Sequence, residues 1–295
     1  MKQTTKNCIR FLAALIAAFI LLDCALAFFY GRYILRSGDF WLNDYELTRR
    51  DHPEKVWDKV IFGSSELVAG FRDEESESGY INLGMDYGTI RDLLTMLKKK
   101  TITVGSELVL AVDSLCFYDG MDTNPVYPWH RQLYEPYAYF MRDRLNTSLM
   151  NAVKRLSGEE AARGLHREQT KAYYEGCLTG EELDAKVEKF DAMFYSKPFA
   201  DYQKNLDALD ALADWCAVHG IRLRLLWLPR NPAAEIPARA QEVMEEANAR
   251  CERHGVEVHD LTHALPTECF YDLGHVNREY GSWLFMEVVD PWLCL

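Results

Sequence analysis

The sequence lacks the features that mark several protein classes. No two of its eight cysteines (Cys8, Cys24, Cys116, Cys177, Cys216, Cys251, Cys269 and Cys294) are spaced as C-x-x-C, so neither a zinc ribbon nor a thioredoxin motif is supported. Their spacing fixes no disulfide connectivity, and the thiols are expected mostly as small buried hydrophobes. Basic residues are outnumbered, with 33 Lys and Arg against 45 Asp and Glu for a formal net charge of −12. That balance argues against a nucleic-acid partner, because phosphate backbones are held by clustered Lys and Arg. The one basic run, Lys98-Lys99-Lys100, closes a helical pattern, where it complements a helix C-terminus. Internal repeats and low-complexity tracts are absent. What remains is ordinary globular composition over 295 residues, 48% hydrophobic and 26% charged. This is enough for one large domain plus an anchor, or for two small domains.

A long apolar run stands at the N-terminus. Phe11 to Tyr30 carry one charge, Asp23, and a run of about 20 residues matches the ~30 Å hydrocarbon core of a bilayer. Lys2, Lys6 and Arg10 precede it, while Arg32 and Arg36 follow. This mild bias favours a cytoplasmic N-terminus with the rest of the chain outside. A cleaved signal peptide would use Ala25-Leu26-Ala27, but the apolar run continues to Tyr30. A lipoprotein signal would need a small residue before Cys24, where Asp23 stands. A buried core helix is the remaining alternative. The expectation is an uncleaved signal anchor over 1–32, a stem over 33–55 and one domain over 56–295, at the cell membrane. Asp23 costs something in a membrane, though near the end of a span it can reach the interface.

Beyond the stem, strands and helices alternate. Apolar strands are expected at Lys59–Phe62, Tyr80–Leu83 and Glu107–Val112, a more alternating strand at Ile221–Leu228, and a fifth short strand at Gly255–His259. Helical spacing marks Thr89–Lys100, Phe199–His219 and Pro237–His254, the last two stopped by Gly220 and Gly255. Such alternation predicts an α/β fold with a five-stranded parallel sheet covered on both faces. Residues 124–198 show no clear strand and read as a helical insertion that shapes the ligand cleft.

Two segments carry chemistry. The first strand runs into Gly63-Ser64-Ser65-Glu66-Leu67. A serine at a strand-to-helix turn faces the cleft, where its own N–H can stabilise an oxyanion; Ser-Ser before a helix also serves as a plain N-cap. The second segment is Tyr271-Asp272-Leu273-Gly274-His275-Val276-Asn277. An Asp three residues before a His can reach back to the imidazole Nδ1–H, fixing the tautomer and stabilising the imidazolium. A capping Asp beside a surface His reads the same segment without chemistry.

Together these segments resemble the SGNH hydrolase superfamily over roughly residues 56–295, the insertion excepted. Gly63-Ser64-Ser65 is similar to its first block, which implies Ser65 as nucleophile. Asn82-Leu83-Gly84 is similar to the second, which implies the Gly84 N–H as an oxyanion donor. Asp272 and His275 match the D-x-x-H of the last block and complete the implied triad. The resemblance implies a three-layer flavodoxin-like fold, ester chemistry without a cofactor, and substrate contacts at Ser64 and Ser114. The G-S-S-E-L form behind an anchor is most similar to one branch of the superfamily. That branch holds the D-alanyl transfer proteins of teichoic acid D-alanylation and the SGNH partners of membrane O-acyltransferases. Two departures stand out. Ser64 replaces the usual Asp, and the third block reads Val112-Asp113-Ser114-Leu115 where Gly-x-Asn is usual. Loss of one oxyanion donor costs about a hundredfold in rate, and the anchored branch shares that loss.

Other motifs are weaker. His259-Asp260-x-x-His263 lacks a third clear ligand, so no metal is assigned. Asp207 and Asp210 are expected on a solvated helix face. Tyr134, Tyr137, Tyr139 and Phe140 line a sugar or acyl site or, more simply, pack within the insertion. The expected activity is O-acyl transfer or ester hydrolysis on a cell-envelope glycan or polymer, with a membrane O-acyltransferase as a candidate partner. The alternative is a catalytically weak SGNH domain that binds such an acyltransferase.

Overall fold

The computed structural model describes residues 2–121, 123–160 and 174–295; positions 161–173 of the expected insertion lie outside them. In chain order the helices are α1 (Lys2–Arg36), α2 (Asp44–Asp51), α3 (Ser65–Gly70), α4 (Ile90–Lys98), α5 (Tyr137–Phe140) and α6 (Arg142–Ser157). They continue with α7 (Glu181–Phe190), α8 (Gln203–His219), α9 (Ala238–His254) and α10 (Gly281–Leu293). The strands are β1 (Trp57–Gly63), β2 (Tyr80–Gly84), β3 (Val104–Val112), β4 (Arg222–Trp227) and β5 (Glu257–Asp260). The chain forms two compact units, one of Met1–Arg50 with Val126–Thr170, the other of Asp51–Pro125 with Lys171–Leu295.

The second unit carries the sheet. Its five parallel strands run in the order β2-β1-β3-β4-β5, the flavodoxin-like order of a doubly wound α/β fold. Val60, Ile61 and Phe62 of β1 and Leu108 to Val112 of β3 are fully buried, as expected of central strands covered on both faces. The helices between them are amphipathic and capped. Thr89 and Asp92 form a reciprocal capping box at the start of α4, and Gly220 and Gly255 end α8 and α9 in left-handed conformation. At the C-terminal edge Gly63 pairs with Gly84 on one side and Ala111 on the other. A Cβ on Gly63 would lie 2.1 Å from the Ala111 carbonyl oxygen, so glycine is required where β1 turns toward the cleft.

Three features add to these expectations or correct them. Asp207 is exposed on its helix face as expected and Asp210 is half-buried. Both bind the buried Arg250 on α9, at 3.0 and 2.7 Å. The thiols are evenly divided, with Cys116, Cys216, Cys251 and Cys269 buried and the other four exposed. Arg224, read as part of an alternating strand, is fully buried. It donates to the Trp292 carbonyl at 3.0 Å and the Tyr80 hydroxyl at 2.6 Å, and pairs with Glu107 at 3.3 Å. These partners offset the cost of burying its charge.

The first unit contains α1, whose residues 3–36 are long and apolar enough to cross a membrane and are fully exposed in their most apolar stretch. That property fits either an anchor or a signal sequence. Tyr30, Ile34, Phe40, Leu42, Leu47 and Met141 make this unit's own small core, with Tyr137 and Phe140 packed against it.

Candidate active site

The candidate site lies where strand order reverses, between β1 and β3, the position at which open α/β sheets bind ligands. Ser64 is the N-cap of α3, its hydroxyl accepting from the Glu66 N–H at 3.3 Å. Ser65 is the first residue of that helix, so its own N–H has no intrahelical acceptor. The capping reading and the nucleophile reading therefore apply to adjacent residues.

The Ser65 Oγ lies 2.8 Å from His275 Nε2. On the other side of the ring, Nδ1 lies 2.9 and 3.1 Å from the two oxygens of Asp272. A carboxylate acceptor there assigns the proton to Nδ1 and leaves the Nε2 lone pair facing the serine hydroxyl. The spacing D-x-x-H is what makes this local: Asp272 Oδ1 also accepts the N–H groups of Gly274, at 3.2 Å, and His275, at 3.0 Å. The turn thus locks the carboxylate beneath the ring. Asp272 is 1% exposed. Burial raises its pKa, but the hydrogen bonds and charge of His275 outweigh that, helped by Lys186, and hold the carboxyl well below its usual range.

Four neighbours were not foreseen. Lys186 on α7 reaches Asp272 Oδ2 at 3.1 Å. Tyr174 lies against the imidazole, with ring centroids 4.2 Å apart and planes tilted by 34°. Tyr87 lines the cavity with φ of +57°, a left-handed conformation that costs an aromatic residue about 1 kcal/mol or more. Glu66 is buried against the turn of the last block, where a Cβ on Gly274 would lie 1.9 Å from Glu66 Oε1. Burial, followed by the charge of Asp113, pushes the Glu66 carboxyl well above its usual range. Desolvation and the nearby Asp113 charge both disfavour the ionised form of Glu66.

The expected oxyanion residues fare differently. The Gly84 N–H donates to Asn82 Oδ1 at 2.8 Å, and the Asn82 amide donates in turn to the Phe71 carbonyl at 2.6 Å. Gly84 thus has an internal acceptor, and the glycine that lines the cavity is Gly88, whose N–H donates to the Met85 carbonyl at 3.1 Å. Ser114 is buried, its hydroxyl 3.2 Å from that of Tyr195, while Asp113, Leu115 and Cys116 line the cavity instead. Asp113 points its carboxylate at the Cys116 N–H, 3.2 Å away.

The cavity in front of Ser65 measures about 260 Å³. Residues from α7 and the turn after it, among them Lys189, Phe190, Met193 and Phe194, form one wall. Among the described residues no group of His, Cys, Asp or Glu is arranged to hold a metal ion. His259 stacks on Trp292 with ring centroids 4.8 Å apart.

No protein-family model and no curated protein matches this chain. Among solved structures it is similar to an acetyl xylan esterase, at 14% identity and a TM-score of 0.39, covering 79% of this chain and 98% of that one. It is also similar to a GDSL-like lipase from Bacteroides thetaiotaomicron, at 12% identity and a TM-score of 0.38, covering 90% and 97%. Likeness at this distance does not extend to chemistry, which is read from the site itself.

Proposed function

We propose that this chain is a membrane-anchored serine esterase or O-acyltransferase of SGNH type, moving a short acyl group through an ester on Ser65. The observation that carries this reading is the continuous series Ser65 Oγ, His275 Nε2, His275 Nδ1 and Asp272, at 2.8 and 2.9 Å. In that series His275 takes the Ser65 proton as Oγ attacks the acyl carbon, and returns it to the leaving oxygen. Water or an acceptor hydroxyl then attacks the acyl-serine through the same imidazole, releasing Ser65.

The small cavity favours an acetyl-sized group over a long chain, because its volume falls at or below the ~300 Å³ low end of ligand pockets. Transfer to a neutral or zwitterionic envelope glycan or polymer is favoured over bulk hydrolysis. The donors for an oxyanion are few, while Tyr174, Phe190 and Phe194 supply apolar lining that limits water at the acyl-serine. The apolar α1 behind Lys2, Lys6 and Arg10 supports an anchor with the site outside the cytoplasm. A non-catalytic reading, a binding partner for a membrane O-acyltransferase, draws support from one feature: an acidic side chain, Asp113, lines the cavity where an oxyanion donor would be useful.

The test uses the full chain in detergent. A fluorophosphonate probe should label Ser65, and Ser65→Ala or His275→Ala should abolish labelling. With p-nitrophenyl acetate and a candidate glycan, acylated glycan should form in a Ser65-dependent way. Fast hydrolysis without acylated glycan would establish the esterase. Absence of any Ser65-dependent chemistry would leave the binding-partner reading.

A further inference from the structure

Asp23 is the one charge in the apolar stretch of α1, and it is not left alone. Its carboxylate accepts the Tyr137 N–H at 2.9 Å and the Ala138 N–H at 2.8 Å. Along α1, Asp23, Leu26, Tyr30 and Ile34 are among the positions withdrawn from the surface, with Gly31 and Leu35 beside them, and their spacing puts them on one helix face. That face is where the start of α5 lies. Asp23 is seven residues before Tyr30, so the contact lies about 10 Å back along the helix axis from the end of the apolar run. The segment that begins at α5 therefore starts beside the apolar part of α1, not beyond it.

The residues around this contact are apolar and uncovered. Leu133 and Tyr134, just ahead of α5, are 103% and 82% exposed. Helix α6 then runs past the end of the apolar stretch: Ser148 Oγ lies 2.9 Å from the Tyr30 hydroxyl, and Arg144 and Arg155 pair with Glu46 and Asp39. Those contacts occupy one side of α6. The other side presents Leu149, Met150, Val153 and Leu156, all half to nine-tenths exposed, at the spacing of a helical stripe. Arg142 stacks on the exposed Tyr139 at 4.7 Å, an amphipathic pair of the kind that sits at headgroup level.

We infer that the segment from Leu133 to Leu156 lies in the interfacial layer of the bilayer that α1 crosses, with its exposed apolar side chains in contact with lipid. The occupant is a lipid surface because the stripe continues the exposed apolar surface of α1, to which Asp23 fastens it. An interfacial helix buries its apolar face ~5–10 Å into the headgroup boundary, the depth at which the Asp23 contact lies. Within that layer the Asp23 carboxylate is satisfied by two backbone N–H donors, which offsets the cost of a charge there. This inference rests on the proposal that α1 is a membrane anchor.

The test is photolabelling of the full chain in nanodiscs of phosphatidylcholine and phosphatidylglycerol carrying a diazirine phospholipid, with adducts mapped by mass spectrometry. Adducts are expected on α1 and on residues 133–156, and not at Val218 on α8, which is equally exposed. Leu149→Glu with Val153→Glu should cut adducts on α6 about tenfold, while adducts on α1 and probe labelling of Ser65 stay unchanged. Adducts on α1 with none on 133–156 would overturn the inference and leave the anchor standing. Adducts on neither would remove the anchor reading and this inference with it.

Discussion

The two sides of the cavity follow opposite rules. On the proton-transfer side each group has a partner that passes charge onward, from Ser65 to His275 to Asp272. On the side where an oxyanion would form, the Ser65 N–H has no intrahelical acceptor, but the two glycine amides are engaged: Gly84 N–H with Asn82 Oδ1, and Gly88 N–H with the Met85 carbonyl. Two carboxyls, Glu66 and Asp113, line the same region. A poised proton relay facing sparse charge stabilisation suits a slow, selective transfer better than rapid turnover, since oxyanion donors supply ~3–4 kcal/mol each in efficient acyl-transfer enzymes.

The largest expected effect breaks the relay alone. Asp272→Asn keeps the side chain's shape but offers an amide to Nδ1, which disfavours the productive tautomer. Probe labelling of Ser65 should fall about 10²- to 10⁴-fold, and the thermal midpoint should fall as well, because the depressed pKa of Asp272 marks a carboxylate that stabilises the fold at neutral pH. A fall of less than twofold would mean that the relay is not in use.

Next comes the junction between the sides. Gly274→Ala would place a methyl group 1.9 Å from Glu66 Oε1, and neither the turn nor the buried carboxyl can give way freely. A loss of about 1–3 kcal/mol in urea unfolding is expected. Gly274→Ala in a Glu66→Ala background should recover much of it. Additive losses would show that Glu66 and Gly274 do not press on one another.

The raised pKa of Glu66 gives a third test. Its folded pKa is raised, so folding carries no penalty from it below the ordinary value near 4.3. The penalty grows as pH rises from there toward the folded value. Glu66→Gln removes that penalty, so its stability gain should be absent near pH 4 and reach on the order of 1 kcal/mol at pH 8. Thermal midpoints that run parallel across that range would mean that Glu66 is already ionised.

The proton-transfer side was legible in the sequence and the other side was not. Asp272 and His275 are three residues apart and meet through one turn, so their spacing alone encodes the contact. The central strands were legible for the same reason: β1 and β3 are short apolar runs whose burial follows from their own composition, whereas β5, Glu257–Asp260, is an exposed edge marked by the Gly255 stop before it. The boundaries moved by only one to three residues. By contrast, the pairing of Gly84 with Asn82 depends on a side-chain rotamer within β2, which no spacing reveals. Glu66 reads as an ordinary polar helix residue, and its burial depends on the bare Gly274, more than two hundred positions away. The full burial of Arg224 within the alternating strand is likewise hidden from spacing, because its partners come from β2, β3 and α10.

The smallest expected effect concerns Lys186, which joins α7 to the relay. Its ammonium lies 3.1 Å from Asp272 Oδ2, with the lysine side chain 29% exposed and the aspartate 2%. The folded pKa of Asp272 is depressed, so its stabilising contribution is present above the ordinary value near 3.9 and is lost only as pH falls through the folded value. Lys186→Met deletes one cause of that depression. The folded pKa should move up toward the ordinary value, lowering stability at neutral pH and bringing acid unfolding on at a higher pH. Because Lys186 is partly solvated, the expected loss is about 0.5 kcal/mol. The lysine also lies over the Phe190 ring at 5.0 Å, a contact that does not titrate in this range, so urea unfolding at pH 7 alone would not isolate the ion pair. The acid midpoint does, and Lys186→Arg should restore it because the charge is kept. A Met variant with an unchanged acid midpoint, or an Arg variant no better than Met, would show that Lys186 only packs against the site.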